Sequence, residues 1–556
     1  MKLAELRARG GAPVNYQALE FDYQRSPDQD AAAPVRRPVV VVGAGPVGLS
    51  LAIDLAQREV PVVLLDNDCT LSTGSRAICF AKRTLEIFDR LGCGDRMVDK
   101  GVSWNRGRVF FRDEEIYNFD LLPESGHERP AFINLQQYYV EGYLAERAAE
   151  LPLVDLRWKN KVVAVEPRAD HVLVTVETPE GNYQLEAGYL TACDGSRSTV
   201  RQLLGEESKG RVFRDRFLIA DVKMKLAQPA ERWFWFDPPF HRNQSVLLHM
   251  QPDGVWRIDF QLGWDADPEH EKRPENIIPR VKEMLAHSSL KDAEFELEWA
   301  SVYTFACLRM DSFRHGRVLF AGDSAHGVSP FGARGANSGV QDAENLAWKL
   351  AAILQGHAPE ALLDSYAAER EYAADENIRN STRATDFITP KSEISRLFRD
   401  AVLDLAKTLP FARTLVNSGR LSVPATLHGS PLNTPTAEPV QGGMVPGAPA
   451  ADAPVVLPDG RAGWLLRQLG QGFTALVAQG CTVAADLRSA AEGIAPLKVL
   501  TLGTNLTDRE GLVAKRYDLQ PGTVVLLRPD HHVCARWRRS DPAALRHGIE
   551  RALAHA

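Results

Sequence analysis

A run of valines that leads directly into a glycine-rich turn constrains the fold of this chain more than any other feature. Residues 39–42 are all valine, and Gly43, Gly45 and Gly48 follow. The next residues, 49–59, suit a helix, and a second apolar run, 62–65, ends at Asp66. Short β-branched runs bounded by turns are typical of parallel strands buried on both faces. The pattern therefore predicts a strand–helix–strand unit with a turn that fits a dinucleotide.

Each glycine of this turn has a separate role in such a unit. The first, Gly43, permits the tight turn, and the second, Gly45, lets the backbone approach a pyrophosphate. Gly48 lets the helix pack closely on the strand. Asp66 stands 18 residues after Gly48, where a carboxylate would bind ribose hydroxyls. The alternative is a scaffold of the same shape without a nucleotide.

Length and composition narrow the class of protein. The chain has 556 residues, which suggests three or four domains, or two large ones. Its formal net charge of −7 argues against nucleic acid or an anionic membrane as the main partner. No run of eighteen uncharged apolar residues and no signal-peptide core occurs, so we expect a soluble cytoplasmic protein.

The cysteines give no sign of a structural framework. The chain has seven of them, spaced widely and without a CxxC pair. An odd count with this spacing favours neither a set of disulfides nor a zinc site, and we expect no metal.

Changes in local composition divide the chain into segments. Residues 1–36 form a polar leader, and residues 37–200 form the first part of a nucleotide-binding domain. Residues 201–310 are β-rich and predict an inserted sheet, after which residues 311–430 return to a buried strand and helices. A Pro/Gly-rich linker or extended strap spans residues 431–454, and residues 455–556 predict a separate small α/β domain.

Two further motifs follow buried strands. The first, residues 193–201, begins Cys193-Asp194-Gly195 and also suits a simple capped helix start. The second, residues 322–337, contains Asp323 and His326 in a loop with several glycines, which would let a flat ring lie against the backbone. By itself His326 is better interpreted as a structural histidine.

The three motifs, in this order and at these separations, resemble those of the FAD-dependent aromatic-ring monooxygenases of the p-hydroxybenzoate hydroxylase type. The similarity covers about residues 36–420 and is greatest for the 3-(3-hydroxyphenyl)propionate hydroxylase and phenol hydroxylase branch. It implies an α/β fold: a Rossmann-type FAD-binding domain, an inserted β-rich substrate domain and a C-terminal thioredoxin-like α/β domain. Without CxxC, that last domain would have a structural role or form a homodimer contact.

The resemblance also implies which residues bind FAD. Asp66 would bind the adenosine ribose, Arg76 would face the pyrophosphate, and Asp323 would bind the ribityl chain. Asp194, with help from Arg201, would contact both FAD and the nicotinamide cofactor. The full implied cofactor set is Gly43, Gly45, Pro46, Gly48, Asp66, Arg76, Gln137 (or its neighbour Gln136), Asp194, Asp323, Pro330, Gly335, Ala336 and Asn337.

The activity implied by the resemblance is hydroxylation of a phenolic compound. NADH or NADPH would reduce FAD, O₂ would give a flavin C4a-hydroperoxide, and its terminal oxygen would attack the ring. The Pro330 carbonyl would lie near the flavin, where Ser329 replaces a second proline, and Arg334 would add positive charge. The alternatives are an FAD-dependent oxidoreductase on the same scaffold (a quinone reductase, an epoxidase or a dehydrogenase) and a flavin-binding assembly protein with little turnover.

The inserted sheet offers candidates for the substrate pocket. His249 is a candidate for the base that forms the phenolate, although a histidine in a sheet is more often a packing residue. Trp235 and Arg257 are candidates for lining a pocket for a small aromatic substrate, because alternating aromatic residues in a strand share a face. Burial in the core of the sheet explains the same residues equally well.

Overall fold

The computed structural model describes residues 20–72, 77–225, 228–291, 293–416, 421–436, 439–480, 484–539 and 541–555. The strands are, in chain order, β1 (Val35–Val42), β2 (Val62–Leu65), β3 (Cys79–Ala81), β4 (Val102–Trp104), β5 (Arg106–Phe111), β6 (Glu114–Asp120), β7 (Phe132–Asn134), β8 (Val154–Arg157), β9 (Lys161–Pro167), β10 (Val172–Thr178), β11 (Gly181–Ala192), β12 (Ser208–Met224), β13 (Arg232–Phe236), β14 (Ser245–Met250), β15 (Val255–Leu262), β16 (Phe295–Met310), β17 (Arg314–His315), β18 (Val318–Phe320), β19 (His326–Gly327), β20 (Pro454–Val456), β21 (Ala462–Trp464), β22 (Phe473–Val477), β23 (Leu497–Thr501), β24 (Val524–Leu527) and β25 (Val533–Trp537). The α-helices are α1 (Pro46–Gln57), α2 (Lys82–Leu91), α3 (Gly94–Lys100), α4 (Gln137–Glu150), α5 (Thr199–Leu203), α6 (Pro268–Glu271), α7 (Pro274–Ala286), α8 (Gly335–Leu354), α9 (Leu362–Ile388), α10 (Glu393–Ala406), α11 (Pro410–Leu415), α12 (Leu465–Gln468), α13 (Ala484–Ala491), α14 (Leu512–Arg516) and α15 (Pro542–Ala552).

A parallel sheet forms the centre of the N-terminal half. Strands β18, β11, β1, β2 and β8 lie side by side in that order, and every neighbouring pair among them is parallel. The four valines at 39–42 of β1 are almost inaccessible to solvent, because α1, α4 and α8 and the neighbouring strands cover both faces. The predicted Rossmann-type α/β fold is therefore confirmed, and the carboxyl ends of the strands form one edge where loops meet.

A second large sheet has mixed pairing and the order β19-β16-β12-β15-β14-β13-β5-β6. Most of it comes from the segment expected to be inserted, residues 201–310. However, β5 and β6 extend it beyond β13, so the sheet also takes two strands from the first part of the nucleotide-binding segment. The long-range pairing of β5 with β13 had no local signal in the sequence.

The two faces of this second sheet have different neighbours. One face packs on α7, with side chains such as Ile277 and Val281 in the interface. The other, which we call the inner face, packs on α9, on α10 and on Phe331 in the loop before α8. A small sheet, β3-β7-β4, lies between the two large sheets, and Asn134 on β7 donates to the Met250 carbonyl on β14 at 2.7 Å.

The C-terminal unit has the strand order β23-β22-β24-β25. Strand β22 is parallel to β23, whereas β22–β24 and β24–β25 are antiparallel. With α13 between β22 and β23, and α15 after β25, this is the topology of a thioredoxin-like domain, as predicted. The Pro/Gly-rich stretch before it packs onto this unit through buried side chains, among them Leu432, Ala450 and Ala453.

Buried ion pairs fix the C-terminal unit to the N-terminal half. Arg528 donates to Glu369 on α9 at 2.5 Å, and Lys349 on α8 donates to the same carboxylate at 2.8 Å. All three side chains are inaccessible or nearly so. The unit is therefore integrated with the helices next to the parallel sheet.

The described ranges contain no candidate membrane-spanning helix and no candidate metal cluster. No described helix combines the length and the apolar character needed to cross a membrane. In the same ranges, no group of three or more His, Cys, Asp or Glu side chains could hold a metal ion. The six described cysteines are free thiols.

Candidate functional site

Two glycines of the first motif are required by close packing. Gly43 has a φ of +103°, and a Cβ there would lie 2.5 Å from the Cys193 carbonyl oxygen. A Cβ on Gly48 would collide with the carbonyl oxygen of Gly43. The glycine turn, the start of α1 and the segment after β11 therefore fit together with no space for a side chain.

Gly45 differs from both, because no described atom comes within 4 Å of a Cβ built there. It precedes α1, and no side chain caps that helix. The first amide groups of a helix carry a partial positive charge and bind anions. An open glycine beside an uncapped helix start is a cradle suited to a pyrophosphate.

Asp66, at the end of β2, is tied to this turn. Its carboxylate accepts from the Ala44 amide at 2.5 Å and from the Asp68 amide at 2.8 Å. Burial raises the pKa of Asp66, although these amide donors favour the charged form. The carboxylate is therefore placed beside the cradle, and each oxygen keeps a lone pair for a further donor.

Asp194 follows β11, and its Cα would be 2.9 Å from a Cβ on Gly43. Oδ2 accepts from the Val200 amide at the start of α5 at 3.1 Å, as the capping interpretation predicts. Oδ1 is buried and accepts no hydrogen bond from the part of the chain that the structure describes. Arg201 donates to the carbonyls of Ser196 and Ser324, both at 2.6 Å, and so connects the second motif to the third.

The third motif is held in place by buried charges. The Gly322 amide, at a φ of +65°, donates to Asp342 at 2.9 Å. His326 and Arg370 contact the same carboxylate, and all three side chains are buried. Burial alone would raise the pKa of Asp342, but the charges of His326 and Arg370 hold it below its usual range. His326 thus supports the loop, in agreement with its structural interpretation.

Helix α8 begins beside Asp323. The Asp323 side chain is exposed, and its Oδ1 would be 3.9 Å from a Cβ on Gly335, the first residue of the helix. No side chain caps α8, and Gly335 and Ala336 are partly exposed. The side chain of Asn337 is fully engaged, because it donates to the carbonyls of Cys79 and Ala333 and accepts from the Ala81 amide.

The loop before α8 contains the other residues expected near the flavin. The carbonyl of Pro330 accepts from the Ala333 amide at 3.1 Å. Arg334 is buried, lies across Gly332 and reaches Asn377 on α9 at 3.4 Å. Thr385 on α9 donates to Ser329 at 2.8 Å, which anchors the loop where a second proline would otherwise stiffen it.

Gln137 is the first residue of α4. Its amide accepts from Ala77 at 3.1 Å and donates to Ser72 at 3.2 Å and to Glu141 at 2.7 Å. It therefore holds both ends of segment 73–76. Arg76 belongs to that segment and lies outside the described residues. Gln136 is buried and donates instead to the Pro252 carbonyl at 3.2 Å.

On the second sheet the structure separates the three substrate candidates. His249 and Arg257 are buried on the inner face, where Arg257 makes a bidentate pair with Asp221. Trp235 points to the opposite face and packs with Trp233 and Phe240 in the core under α7. Trp235 therefore does not share a face with His249 and Arg257, and its position agrees with the alternative of burial in the core of the sheet, whereas Phe234 faces inward.

Three residues of this region were not singled out in the sequence. Asp259 lies 3.5 Å from His249, Arg232 is paired with His249 across the strands, and Asn134 connects the sheets. Asp259 lies two residues after Arg257 in β15, so their side chains point to the same face. This spacing of charged residues could have indicated both as parts of one polar site. Arg232 and Asn134 gave no local signal.

The first turns of α1 and α8 converge. A Cβ on Gly339 of α8 would lie 2.6 Å from Val47 of α1 and 3.1 Å from Gly322. Two uncapped helix starts, an open glycine and the carboxylates of Asp66 and Asp323 thus occur together at the carboxyl edge of the parallel sheet. These groups fit FAD, which offers a pyrophosphate, hydroxyls and an electron-poor ring to them.

Comparisons with known proteins agree with this geometry. A family model described as an FAD binding domain matches residues 36–381. The chain is 31% identical to a probable NADH-specific resorcinol 4-hydroxylase of Rhodococcus jostii, over 89% of this chain and 91% of that protein. It is 30% identical to a 6-methylpretetramide 4-monooxygenase of Streptomyces rimosus, over 91% and 92% of the two chains.

Solved structures share the fold along almost the whole chain. The flavin-dependent monooxygenase PieE, crystallised with FAD and substrate, has a TM-score of 0.81 at 22% identity and covers 94% of this chain and 100% of its own. An aklavinone-11 hydroxylase with FAD and aklavinone has a TM-score of 0.74 at 24% identity, with coverage of 93% and 99%.

Proposed function

The chain belongs to the family of this FAD binding domain, and on that premise we propose that it is a flavoprotein monooxygenase that hydroxylates a phenolic ring with NAD(P)H and O₂. The observation that carries the proposal is the convergence of the uncapped starts of α1 and α8 beside the inner face of the second sheet. Its relatives named as a resorcinol 4-hydroxylase and as hydroxyphenylpropionate hydroxylases support a phenolic substrate.

The proposed contacts with the different parts of FAD are distributed along the carboxyl edge of the parallel sheet. The amides at Gly45 and the start of α1 would bind the pyrophosphate, and Asp66 the adenosine ribose. Asp323 would bind the ribityl hydroxyls, and the backbone of Gly335 and Ala336 the pyrimidine edge. The positive end of α8 would then stabilise negative charge on that edge. Arg76 and Asp194 stay assigned to the cofactor by the family resemblance.

Bound FAD would supply an acceptor for the hydride of NAD(P)H and the chemistry that activates O₂ for transfer to the ring. The chain contributes aromatic side chains that exclude water. The ring of Phe331, next to Pro330, packs against the rings of Phe217 and Phe305, with ring centres 4.8 and 5.4 Å away. Water exclusion favours oxygen transfer because water promotes loss of the oxygen as H₂O₂.

We propose His249 as the base for the substrate hydroxyl. Its Nε2 lies 3.5 Å from Asp259 Oδ2, and its Nδ1 has no partner within the described ranges. Burial and the charge of Arg232 lower the pKa of His249 to about 4, so the ring is neutral at pH 7. The neutral Nδ1 can then accept a hydrogen bond from the substrate hydroxyl, and Asp259 would stabilise the imidazolium that proton transfer forms.

The proposed oligomeric state rests on the family resemblance, and the proposed location rests on the expectation drawn from the sequence. We propose a cytoplasmic homodimer, in which the C-terminal thioredoxin-like unit has a structural or contact role. The buried Arg528–Glu369 pair supports the structural part. Light scattering of the purified full chain measures the oligomeric state, and fractionation of expressing cells measures the location.

The deciding experiment measures NADH and NADPH oxidation with a panel of phenols, phenolic acids and larger polycyclic phenols under ¹⁸O₂. We expect one ring class to accelerate oxidation and to give a product with ¹⁸O. Reduction of the flavin with all electrons recovered in H₂O₂ or in an added quinone would favour an oxidoreductase without oxygen transfer. No turnover with any acceptor would favour a flavin-binding assembly protein.

A further inference from the structure

Four polar residues form a row across the inner face of the second sheet. Arg232 on β13 is opposite His249 on β14, His249 is opposite Arg257 on β15, and Arg257 is opposite Asp221 on β12. Residues directly opposite each other on neighbouring strands point to the same face. The row therefore presents two guanidinium groups, one imidazole and one carboxylate toward the nucleotide-binding half.

The two arginines of the row differ in their partners. Arg257 donates to both oxygens of Asp221, at 2.8 and 2.7 Å. Gln251 also donates to Asp221, at 3.1 Å, so three donors engage this carboxylate. The nearby carboxylate of Asp259 is aligned with His249.

Arg232 is 4% exposed, and within the described residues its Nε and Nη1 have no hydrogen-bond partner. Its guanidinium carbon lies 5.3 Å from the centre of the Phe234 ring, which covers it without offering an acceptor. Leaving two nitrogens of a buried cation without hydrogen bonds is unfavourable unless an anion joins them. Neighbouring atoms Nδ1 of His249, Oε1 of Gln251 and Oδ1 of Asp259 are likewise unsatisfied by the described part of the chain.

An apolar surface adjoins this polar site. Phe234 belongs to the same buried cluster as Phe217 and Phe331, and Phe331 lies in the loop that leads to α8. On the other side, Arg232 lies near Cys79 on β3, whose carbonyl accepts from Asn337 near the start of α8. The unsatisfied guanidinium thus lies between an aromatic surface and the elements beside the cofactor edge.

We propose that Arg232 binds an oxyanion of the aromatic substrate, a carboxylate or a phenolate, and so selects acidic ring compounds. The inference rests on the proposed function, which supplies the ring substrate. A guanidinium offers a planar pair of donors that matches two oxygens or one oxygen with two lone pairs. The ring of such a substrate would contact the phenylalanine cluster, and its hydroxyl would be within the same polar row as His249.

The test uses the full-length holoenzyme and three variants: Arg232→Gln, Arg232→Lys and, as a matched control, Arg106→Gln. Arg106 is on the neighbouring strand β5 with its side chain 70% exposed. Each protein is titrated with 3-(3-hydroxyphenyl)propionate, its methyl ester and resorcinol, and the change in flavin absorption gives Kd. FAD content and melting temperature report the integrity of each variant.

We expect Arg232→Gln to raise the Kd of the acid at least tenfold, Arg232→Lys to raise it at least threefold, and Arg106→Gln to leave it within twofold. If the Kd of the methyl ester is the same for Arg232→Gln and the wild type, the oxyanion is the carboxylate. A rise for all three probes, larger at high pH, identifies it as the phenolate. If Arg232→Gln does not retain FAD, Arg232→Lys carries the test.

Unchanged Kd values for all three probes in the intact Arg232 variants overturn the inference, as does failure of the wild type to bind any probe. Turnover of the wild type under ¹⁸O₂ is measured in parallel. Hydroxylation that does not depend on Arg232 removes this inference and leaves the proposed function standing. Binding that depends on Arg232, but with no ¹⁸O in any product, supports Arg232 as an anion site and counts against the proposed function.

Discussion

The Nε2 atom of His326 lies 2.7 Å from Oδ2 of Asp342, and both side chains are completely buried. The same carboxylate accepts from Arg370 at 2.6 Å and from the Gly322 amide at 2.9 Å. Asp342 is on α8, whereas Gly322 follows β18. This pair therefore fixes the distance between the third motif and the helix whose first turn borders the proposed flavin site.

Replacing Asp342 tests that role. We expect Asp342→Asn to lower the free energy of unfolding by about 3–5 kcal/mol, because it leaves the buried charge of Arg370 without its partner. Urea unfolding followed by tryptophan fluorescence measures the change. Asp364→Asn, whose side chain is 74% exposed, is the control and should change it by less than about 0.5 kcal/mol. Equal urea midpoints for Asp342→Asn and wild type would contradict the argument.

Two glycines of the first motif should respond in opposite ways to alanine. Gly48→Ala places a methyl group against the Gly43 carbonyl and should destabilise the fold, whereas at Gly45 a methyl group meets no described atom. We expect Gly45→Ala to fold with a near-normal melting temperature as apoprotein but to bind FAD at least tenfold more weakly. Isothermal titration of the apoproteins with FAD separates the two effects. Normal FAD affinity in Gly45→Ala would show that the pyrophosphate does not lie there.

Asp323→Ala should deplete FAD from the purified protein, since its carboxylate is placed beside Gly335 at the start of α8. The ratio of flavin absorption to protein absorption measures the loss, which we expect to be at least tenfold in affinity. Asp311→Ala is the control, because Asp311 is an exposed acid that precedes β18, whereas Asp323 follows it. A fully yellow Asp323→Ala protein would refute the assignment of Asp323.

Arg528→Gln tests whether the C-terminal unit stabilises the rest of the chain. It removes the partner of Glu369, a carboxylate buried between Arg528 and Lys349, and should cost about 3–5 kcal/mol. Differential scanning calorimetry would then show a lower transition for the nucleotide-binding half as well. Arg461→Gln, at a side chain that is 77% exposed, should leave every transition in place. A normal transition of that half in Arg528→Gln would mean that the unit is only tethered.

Burial of His249 predicts an acid-sensitive fold. Its pKa is about 4 in the folded chain against an ordinary 6.5, so below pH 6.5 the unfolded chain binds the extra proton. Stability from this group is complete above pH 6.5 and is lost as the pH falls toward 4. Between pH 7 and 5 the loss should be about 2 kcal/mol. His249→Gln should show a shallower decline in urea unfolding across this interval, and an identical pH slope would contradict the prediction.

Much of the fold could be predicted because its signals are local. Residues 39–48 contain a strand, a turn and a helix start within ten positions, and the backbone geometry of Gly43 is one that glycine adopts readily. The C-terminal residues by themselves predicted a small α/β domain, and its thioredoxin-like topology was implied by the family resemblance. The pairing of β5 with β13 joins segments more than a hundred residues apart and left no trace in either segment.

The candidate site was predicted unevenly for the same reason. Alternation predicted that Trp235 and Phe234 point to opposite faces, but it could not say which face meets the nucleotide-binding half. That choice depends on α7, which covers the face with Trp235. In the sequence, Arg232 is an ordinary charged residue at the start of a strand. Only the structure shows that its Nε and Nη1 have no hydrogen-bond partner among the described residues.

The sequence by itself therefore determined the nucleotide-binding unit, the order of the three motifs and the family they belong to, because each motif is a short stretch with its own backbone requirement. Tertiary structure alone decided which charges meet. Asp342 accepts a hydrogen bond from Gly322, which is twenty residues away in sequence, and Arg528 pairs with Glu369 across 159 residues. Such pairs form only when packing removes water from both groups, since the free energy of a buried charge depends on all the elements around it.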